Sequence, residues 1–355
     1  MKRVAVVGIV GVPANYGGFE TLIDNIIGEN CSSDVEYTIF CSKTHYYYQS
    51  LRYKGAKLRY IDLNANGSQS ILYDGFALSK SWRGFDAVLV LGVSGAIFMP
   101  LFKLFSNTKL ITNIDGLEWK RGKWSGFAKF FLRLSEEFAL RCSDVVIGDN
   151  EAIVKYISRR YQNKCELIAY GGDNAVKNVS EMYKQKILSL YQLDNCEYAF
   201  TVCRIEPENN CDMILNAFSK SDINYAIVGN WYTSKFGLEL KAKYSKYENI
   251  HMIDAIYDLD KLYVLRANSK YYIHGHSAGG TNPSLVEAMC CGCNILAYHV
   301  NYNIYTTENR AHYFGDEAQL LELISANVIN STEMRKVAEE RYVWKRIAQC
   351  YESLY

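Results

Sequence analysis

The side chains that could do chemistry are concentrated in a twenty-residue stretch from His274 to Cys293, which reads HGHSAGGTNPSLVEAMCCGC. Imidazoles and thiolates are zinc ligands, so a metal site is one interpretation of this stretch. A helix between the histidines and the cysteines would separate them by about 20 Å, at a rise of 1.5 Å per residue. The adjacent Cys290 and Cys291 also cannot easily face one ion. We therefore expect small buried cysteines at a helix end and no structural metal.

The same stretch predicts an anion site at the start of a helix. Asn282 is a favoured N-cap residue, and Pro283 is favoured at the first helical position. The N–H groups and the positive dipole end of such a helix suit a diphosphate. Four further residues are expected to let the backbone approach a ligand or to supply donors: Gly279, Gly280, Thr281 and Ser284.

Glu287 lies one helical turn beyond Ser284 and on the same face. A carboxylate should not contact phosphate, so we expect Glu287 to accept hydrogen bonds from sugar hydroxyls of a nucleotide. The alternative is that Glu287 is a helix-capping residue.

Two more loops point to the same kind of ligand. The loop GVPANYGGFET follows the first strand and carries Gly17 and Gly18, where a plain turn is an equally good interpretation. The loop CRIEPENN follows a later strand, and its Arg204 could bind a phosphate through two nitrogens. A surface salt bridge from Arg204 to Glu206 or Glu208 is the alternative.

The elements that must position these residues follow a strand–helix rhythm typical of doubly wound parallel sheets, an α/β class. The predicted strands are RVAVVGIV, EYTIFC, AVLVLG, KLITNI and DVVIG in one half, and EYAFTVC, INYAIVGN, NIHMID, KYYIHG and CNILAY in the other. We expect domains at 1–173 and 174–340, and a terminal helix at 341–355 that packs back toward the first domain. A ligand is expected at the carboxyl ends of the strands, where the two halves face each other.

Composition excludes several classes of protein. The 355 residues are 49% hydrophobic and 22% charged, with a net charge of +1, which gives no overall attraction to nucleic acid. The longest apolar run, 87–102, is too short to span a bilayer and predicts a strand, a turn and a buried helix. Eleven cysteines without a secretory signal predict reduced thiols and a cytoplasmic location.

Several motifs together resemble the retaining GT-B glycosyltransferases of family 4, which have two facing Rossmann-like domains with the ligand cleft between them. The resemblance extends to a bacterial rhamnosyltransferase subgroup that builds capsule and O-antigen polysaccharides. The motifs that carry it are NYGGFET, NIDGLEWKRGKW, IAYGGD, RIEPENN and HGHSAGGTNPSLVEAM.

The resemblance implies roles for individual residues. The family has two Glu eight positions apart; the second matches Glu287, and the first falls on Gly279, which has no side chain. The N–H groups of Gly280 and Thr281 are expected to substitute for the missing carboxylate. The family's diphosphate-binding Arg matches Arg204.

The chain departs from the family pattern at two further positions. The family's diphosphate-binding Lys falls on Asn209, so half of the positive charge is missing. The family's His after the fifth strand falls on Asp115, which we expect to face the sugar or the acceptor hydroxyl. The alternative for Asp115 is that it caps the following turn.

The implied reaction is sugar transfer with retention by front-face attack, without a metal or another cofactor. The expected donor is dTDP-L-rhamnose, and the expected acceptor is a polyprenyl-diphosphate-linked saccharide. The first alternative is a family-4 transferase that uses a UDP- or GDP-hexose. A nucleotide-sugar epimerase and a non-catalytic nucleotide-sugar binding protein are the others.

The segment from Glu118 to Leu134 predicts peripheral attachment to the inner face of the cytoplasmic membrane. Its basic and aromatic residues are Lys120, Arg121, Lys123, Lys129, Arg133, Trp119, Trp124, Phe127, Phe130 and Phe131. Such a combination suits an anionic lipid surface. A core helix with a solvated basic face is the alternative.

Overall fold

The structure is a computed structural model that describes residues 1–14, 17–29, 31–32, 34–114, 116–120 and 125–355. The chain divides into two compact units. The first unit comprises Met1–Tyr170 together with Trp344–Tyr355, and the second comprises Gly171–Val343.

Each unit is built on one sheet. The strands of the first unit are β1 (Lys2–Val7), β2 (Val35–Ser42), β3 (Arg52–Tyr53), β4 (Ala56–Ile61), β5 (Ala87–Leu91), β6 (Lys109–Asn113), β7 (Val145–Gly148) and β8 (Cys165–Leu167). The strands of the second unit are β9 (Tyr198–Val202), β10 (Asn224–Gly229), β11 (Ile250–Asp254), β12 (Tyr271–His274), β13 (Ile295–Tyr298) and β14 (His312–Phe314).

The strand orders are those of doubly wound folds. The first sheet runs β3-β4-β2-β1-β5-β6-β7-β8 and the second runs β11-β10-β9-β12-β13-β14. All pairings are parallel except that of β3 with β4, which is antiparallel. The α/β prediction is therefore confirmed. The strands β3, β4, β8 and β14 were not predicted, because strands at or next to a sheet edge carry little continuous apolar sequence.

Helices connect the strands. Those of the first unit are α1 (Gly18–Glu29), α2 (Ser70–Ser81), α3 (Met99–Phe105), α4 (Gly126–Cys142), α5 (Glu151–Tyr161) and the terminal α14 (Trp344–Ser353). Those of the second unit are α6 (Glu181–Leu190), α7 (Cys211–Phe218), α8 (Lys235–Tyr244), α9 (Leu259–Ala267), α10 (Pro283–Cys290), α11 (Asn301–Thr306), α12 (Glu317–Ser325) and α13 (Ser331–Arg341).

Buried β-branched and aliphatic runs explain why these segments form central strands. All five residues of β5 are buried, and so are the last four of β1. Parallel strands covered by helices on both faces need such continuous apolar sequence. The predicted buried helix after β5 is only half correct, because α3 buries Met99 and Phe102 but exposes Leu101 and Leu104.

The terminal helix α14 belongs to the first unit. Its Trp344 lies edge-on to the ring of Tyr170, with 4.8 Å between the ring centroids. Its Tyr351 is buried, and the hydroxyl accepts a hydrogen bond of 2.8 Å from the side-chain amide of Asn113 at the end of β6. Among the described residues, no helix combines the length and apolar composition needed to cross a bilayer.

Candidate functional site

Two loops of the second unit meet because they follow neighbouring parallel strands. The β9 loop (203–210) follows β9, the β12 loop (275–282) follows β12, and these two strands pair with each other. Since the carboxyl ends of parallel strands share one edge of a sheet, both loops lie at that edge.

Hydrogen bonds fasten the two loops together. Ser277 donates twice to the carbonyl of Glu208, from its N–H at 2.9 Å and from its hydroxyl at 2.8 Å. The side-chain amide of Asn210 donates to the carbonyl of Gly275 at 2.8 Å. A Cβ atom at Gly275 would lie 2.2 Å from the carbonyl oxygen of Asn209, so only glycine allows this close approach.

Arg204 is the exposed cation of the β9 loop. Its side chain is 44% exposed, and its Nε lies 4.0 Å from Oε2 of Glu206, the outer limit of an ion pair. Within the described part of the chain, that Glu206 oxygen has no hydrogen-bond partner. The alternative, a surface salt bridge from Arg204 to Glu206, is therefore a weak interaction at most. The guanidinium can leave it and turn toward an anionic ligand.

Asn209, at the position of the family's diphosphate-binding Lys, has a buried amide that is bonded at both ends. Its Nδ2 donates to the carbonyl of Arg204 at 2.7 Å. Its Oδ1 lies 2.7 Å from Nδ1 of His276. Asn209 therefore ties the two loops together rather than presenting a group to phosphate.

This arrangement fixes the proton of the His276 ring. Because Asn209 donates through Nδ2, its Oδ1 is left as the acceptor, and Nδ1 of His276 must carry the proton. In the neutral imidazole the other nitrogen, Nε2, is then a hydrogen-bond acceptor. The main chain of His276 is held as well, since its carbonyl accepts a 3.0 Å bond from the buried side chain of Asn303.

Gly279 lies against the same imidazole. Its φ is +125°, a conformation that residues with side chains rarely adopt. An added Cβ would lie 3.0 Å from Nε2 of His276. A carboxylate side chain at position 279 would therefore meet both backbone strain and the imidazole, which explains in physical terms why glycine is found there.

The start of α10 confirms one prediction and corrects another. Asn282 is the N-cap and Pro283 opens the helix, as predicted. However, both the N–H and the hydroxyl of Ser284 donate to Oδ1 of Asn282, at 3.0 and 2.8 Å. The next two N–H groups, of Leu285 and Val286, donate to the carbonyl of Asn282. The expected free donors in the first helical turn, including the Ser284 hydroxyl, are therefore internally bonded.

The donors left for an anion lie just before the helix. Within the described residues, the N–H groups of Gly280 and Asn282 have no hydrogen-bond partner. Thr281, between them, is buried. The N–H groups open to a ligand thus lie in the β12 loop, a few residues before the predicted helix start, where the dipole of α10 still acts.

Glu287 is paired with an arginine that sequence analysis did not single out. Nη2 of Arg266, in α9, donates to Oε2 of Glu287 at 2.7 Å. Arg266 is 1% exposed and the Glu287 side chain 18% exposed. Burial by itself lowers the pKa of Arg266, but the adjacent Glu287 carboxylate more than offsets this and raises it, so Arg266 stays charged. The alternative of Glu287 as a helix-capping residue is wrong.

The cysteines at the end of α10 are free and close to this pair. Cys290 is half-buried, whereas Cys291 and Cys293 are buried, so the expectation of buried thiols holds for two of the three. Cys290 and Cys293 have CxxC spacing, but the Cys293 thiol donates to the carbonyl of Arg266 at 3.2 Å. In the parts of the chain that the structure describes, no three His, Cys, Asp or Glu side chains are grouped to hold a metal ion.

The two candidate glycines of the first loop, Gly17 and Gly18, have different roles. Gly17 has a φ of +129°, and a Cβ there would lie 1.9 Å from a carboxylate oxygen of Glu20. Burial raises the pKa of Glu20, and its carboxylate accepts a 2.8 Å bond from the N–H of Val10. Gly17 is thus explained by the packing of its own loop. Gly18 has no described atom within 4 Å of the corresponding position, so the backbone is open there. Asp115 lies outside the described residues.

The predicted membrane segment is partly outside the described residues, at 121–124. Trp119 is held within the unit, because its indole N–H donates to Glu136 at 3.2 Å and Arg133 lies over its ring at 5.4 Å. Phe127 and Phe130, in the first turns of α4, are exposed, whereas the residues that α4 buries lie further along the helix. The alternative of a core helix does not fit these two phenylalanines.

Sequence comparisons match each half of the chain to a different family model. Residues 1–173 match a domain of unknown function (DUF1972), and residues 191–336 match glycosyl transferases group 1. No curated protein sequence matches the chain.

Solved structures resemble the whole chain. Sucrose-phosphate synthase from Thermosynechococcus elongatus is 16% identical, with a TM-score of 0.81 over 100% of this chain and 98% of that chain. Anabaena HepE in complex with UDP and glucose is 15% identical, with a TM-score of 0.77 over 99% of both chains. The catalytic domain of starch synthase IV from Arabidopsis thaliana, bound to ADP and acarbose, is 12% identical, with a TM-score of 0.73 over 100% and 98%.

At these identities the structural likeness shows the fold, and the group 1 match adds the enzyme class. The chain has the GT-B fold and carries a glycosyl transferases group 1 domain within its second unit.

Proposed function

We propose that this protein transfers L-rhamnose from dTDP-L-rhamnose, with retention, onto a lipid-diphosphate-linked saccharide of a bacterial surface polysaccharide. The observation that supports a donor site is that the β9 and β12 loops are bonded to each other inside the segment that matches glycosyl transferases group 1. The rhamnose and the polysaccharide come from the motif resemblance.

The donor diphosphate is proposed to bind at the edge of the second sheet. Arg204 supplies the positive charge, and the N–H groups of Gly280 and Asn282 supply uncharged donors near the positive end of the α10 dipole. The neighbours HepE and starch synthase IV were solved with UDP and ADP. These bound nucleoside diphosphates support the same ligand class here.

Glu287 is proposed to bind the sugar of the nucleoside. Arg266 already occupies Oε2, which leaves Oε1 as the carboxylate oxygen that a ligand would meet. One such oxygen suits the single 3′-hydroxyl of a deoxyribose, whereas the diol of a ribose would call for both. A dTDP-linked donor, which needs only one such hydrogen bond, fits a carboxylate that keeps its Arg266 contact.

The proposed reaction is a front-face displacement. The bond from the anomeric carbon to the diphosphate oxygen breaks, and its electron pair goes to that oxygen. The acceptor oxygen bonds to the anomeric carbon on the same face, and its proton passes to the departing diphosphate. The protein contributes position and charge, and Arg204 stabilises the negative charge that develops on the leaving group.

The acceptor is proposed to be reached at the inner face of the cytoplasmic membrane. The exposed Phe127 and Phe130 begin α4, and the neighbouring α3 adds exposed Leu101, Leu104 and Phe105. Lys129 and Arg133 lie on the same helix as the two phenylalanines. Exposed aromatic and aliphatic side chains beside basic ones suit an anionic lipid surface.

A donor panel tests the proposal. Purified protein is incubated with a lipid-diphosphate-linked saccharide and, in separate reactions, with dTDP-L-rhamnose, UDP-hexoses and GDP-hexoses. We expect nucleoside diphosphate release and a lengthened acceptor with dTDP-L-rhamnose. Transfer from a UDP- or GDP-hexose, with none from dTDP-L-rhamnose, would overturn the donor assignment while leaving the enzyme class intact.

A further inference from the structure

We propose that Tyr47 and Tyr48, the tyrosine pair, form a platform on the first unit that binds the saccharide of the acceptor. The inference rests on the proposed function, since it names a binding surface for the class of acceptor given there.

The tyrosine pair lies on a loop at one particular edge of the first sheet. The β2 loop (43–51) follows β2, and β2 pairs in parallel with β1 on one side and with β4 on the other. The loops that follow these three strands therefore lie at the same edge. Open α/β sheets bind their ligands at this edge, beyond the carboxyl ends of the strands.

The β2 loop is anchored on both sides of the tyrosine pair. Before the pair, the buried Tyr46 donates from its hydroxyl to the carbonyl of Pro13, in the loop after β1, at 3.1 Å. After the pair, the carbonyl of Ser50 accepts a 3.1 Å bond from the hydroxyl of Tyr60. The two exposed rings are therefore carried by a loop whose ends are held in place.

The two rings are exposed and nearly perpendicular. Tyr47 is 92% exposed and Tyr48 is 82% exposed, the largest fractions of any described tyrosine. Their centroids lie 4.9 Å apart with an interplanar angle of 84°, so the rings form a corner. Within the described residues, neither phenol hydroxyl has a hydrogen-bond partner. Ring surface and two hydroxyl groups are therefore available to a ligand.

The chemistry of the tyrosine pair suits a sugar. A tyrosine offers a rigid apolar surface together with a polar hydroxyl, and it loses little conformational entropy when a ligand covers it. A pyranose has the matching composition, with C–H bonds on the faces of its ring and hydroxyls around the rim. We expect the C–H groups to pack on the aromatic rings and the hydroxyls to bond to polar side chains nearby.

The neighbouring β4 loop (62–69) supplies such polar side chains. The hydroxyl of Ser42, at the end of β2, donates to the carbonyl of Leu63 at 2.7 Å and so joins the two loops. In the described part of the chain, the side-chain amide of Asn66 has no hydrogen-bond partner. That of Asn64 uses only its oxygen, which accepts a 2.8 Å bond from the N–H of Asn66. An amide offers both donors and an acceptor, as sugar hydroxyls require.

The charge of this surface suits a neutral ligand better than an anionic membrane. Lys43 is the one Lys or Arg of the β2 loop, and its ammonium is paired with the carboxylate of Asp62 at 3.2 Å. By contrast, the exposed phenylalanines of α4 share their helix with Lys129 and Arg133. The tyrosine pair therefore lacks the unpaired basic neighbours that attract anionic lipid.

Three variants separate the parts of the platform. Tyr47→Ser with Tyr48→Ser removes both rings, whereas Tyr47→Phe with Tyr48→Phe keeps the rings and removes only the hydroxyls. Met182→Ser is the matched control, because Met182 is 83% exposed and lies on α6 of the second unit.

Steady-state kinetics with dTDP-L-rhamnose and the lipid-diphosphate-linked saccharide measures the effect on each substrate. We expect the double serine variant to raise the acceptor KM about tenfold or more, since two aromatic contacts are lost, and to change the donor KM by less than about twofold. The double phenylalanine variant should keep most of the acceptor affinity, and Met182→Ser should change neither KM. An unchanged acceptor KM in the double serine variant, or an equal rise in both KM values, overturns the platform.

Saturation-transfer-difference ¹H NMR with lipid-free sugars tests the same contact without turnover or lipid. The probes are the methyl glycosides of glucose, galactose, N-acetylglucosamine and rhamnose. We expect saturation to reach the ring C–H protons of at least one probe with the wild-type chain and to disappear with the double serine variant.

Absence of saturation with the wild-type chain, or equal saturation with both chains, overturns the proposal. Equal saturation together with weaker liposome flotation of the double serine variant would assign the tyrosine pair to the membrane instead. If saturation depends on the tyrosines but no nucleotide sugar is consumed, it is the proposed function that fails and the platform that stands.

Discussion

Replacing Glu287 by alanine should destabilise the second unit, because it leaves the Arg266 charge buried without a countercharge. The guanidinium is 1% exposed, and its Nη2 has its 2.7 Å ion pair with Oε2 of Glu287. Its Nε has no hydrogen-bond partner among the described residues, and burial raises the pKa of the neighbouring Cys291 thiol, so that thiol supplies no countercharge. Breaking a buried ion pair by removing one partner costs about 3–5 kcal/mol.

Differential scanning calorimetry of the full chain measures this loss. For a domain of this size, 1 kcal/mol lowers Tm by about 2–4 °C, so Glu287→Ala should lower the transition of the second unit by roughly 6–20 °C. The double variant Arg266→Met with Glu287→Leu removes both charges and should recover most of the loss, because an apolar pair of similar volume is nearly neutral.

Glu239→Ala is the control for loss of a carboxylate. Its ion pair with Lys235 is largely exposed, at 62% and 90%, and such pairs contribute about 0–1 kcal/mol. A Glu287→Ala transition as close to wild type as that of Glu239→Ala would refute the buried-pair argument. This stability loss also has to be separated from any loss of nucleotide affinity in the same variant.

Three further predictions concern other parts of the chain. Arg204→Ala should lower kcat/KM by about a hundredfold or more, with partial recovery in Arg204→Lys, and steady-state kinetics with near-normal values would place Arg204 outside the site. Phe127→Ser with Phe130→Ser should weaken flotation with anionic liposomes, whereas Met182→Ser, an exposed control in α6, should not; equal flotation of all three chains contradicts the membrane surface. Burial raises the pKa of Asp74 from 3.8 to about 7, so its stabilising contribution is complete below about pH 4 and is lost as the pH rises through 7. Asp74→Asn should therefore flatten the pH dependence of the first unit's Tm between pH 4 and 8, and an unchanged slope would contradict the shift.

Local sequence signals were sufficient to predict features that depend only on neighbouring residues. The cap at Asn282 and the proline after it were predicted correctly, because N-cap chemistry depends on residues one to three positions apart. The same cap uses up the donors that the helix start was expected to offer. Whether an N–H remains free depends on the bonds actually made, and residue type alone does not specify them.

Contacts between distant residues were not predictable in this way. Arg266 and Glu287 belong to different helices, and Asn209 and His276 follow different strands, so no periodicity or spacing links them. One signal was present nevertheless. Asn209 and Gly279 are the two positions where this chain departs from the family's charged pattern in the second unit. Asn209 bonds to His276, and a Cβ at Gly279 would lie 3.0 Å from Nε2 of the same ring.

Glycine occurs at different positions of this chain for different structural reasons. Gly17 and Gly18 were treated alike in the sequence, yet a carboxylate fills the space beside Gly17 and the space beside Gly18 is open. Gly172, in the motif IAYGGD, packs against α10, where a Cβ would lie 2.8 Å from the carbonyl carbon of Val286. Spacing could not have distinguished a glycine needed for packing from one that admits a ligand.

The measurement that tests glycosyl transfer most directly is ¹H NMR of the complete reaction, followed with and without the lipid-diphosphate-linked acceptor. We predict that nucleoside diphosphate and lengthened acceptor form in equal amounts, that both require the acceptor, and that the transferred sugar keeps the anomeric configuration it had in the donor. Release of nucleoside diphosphate without acceptor, an epimerised sugar, or a donor that is bound but never consumed would contradict it.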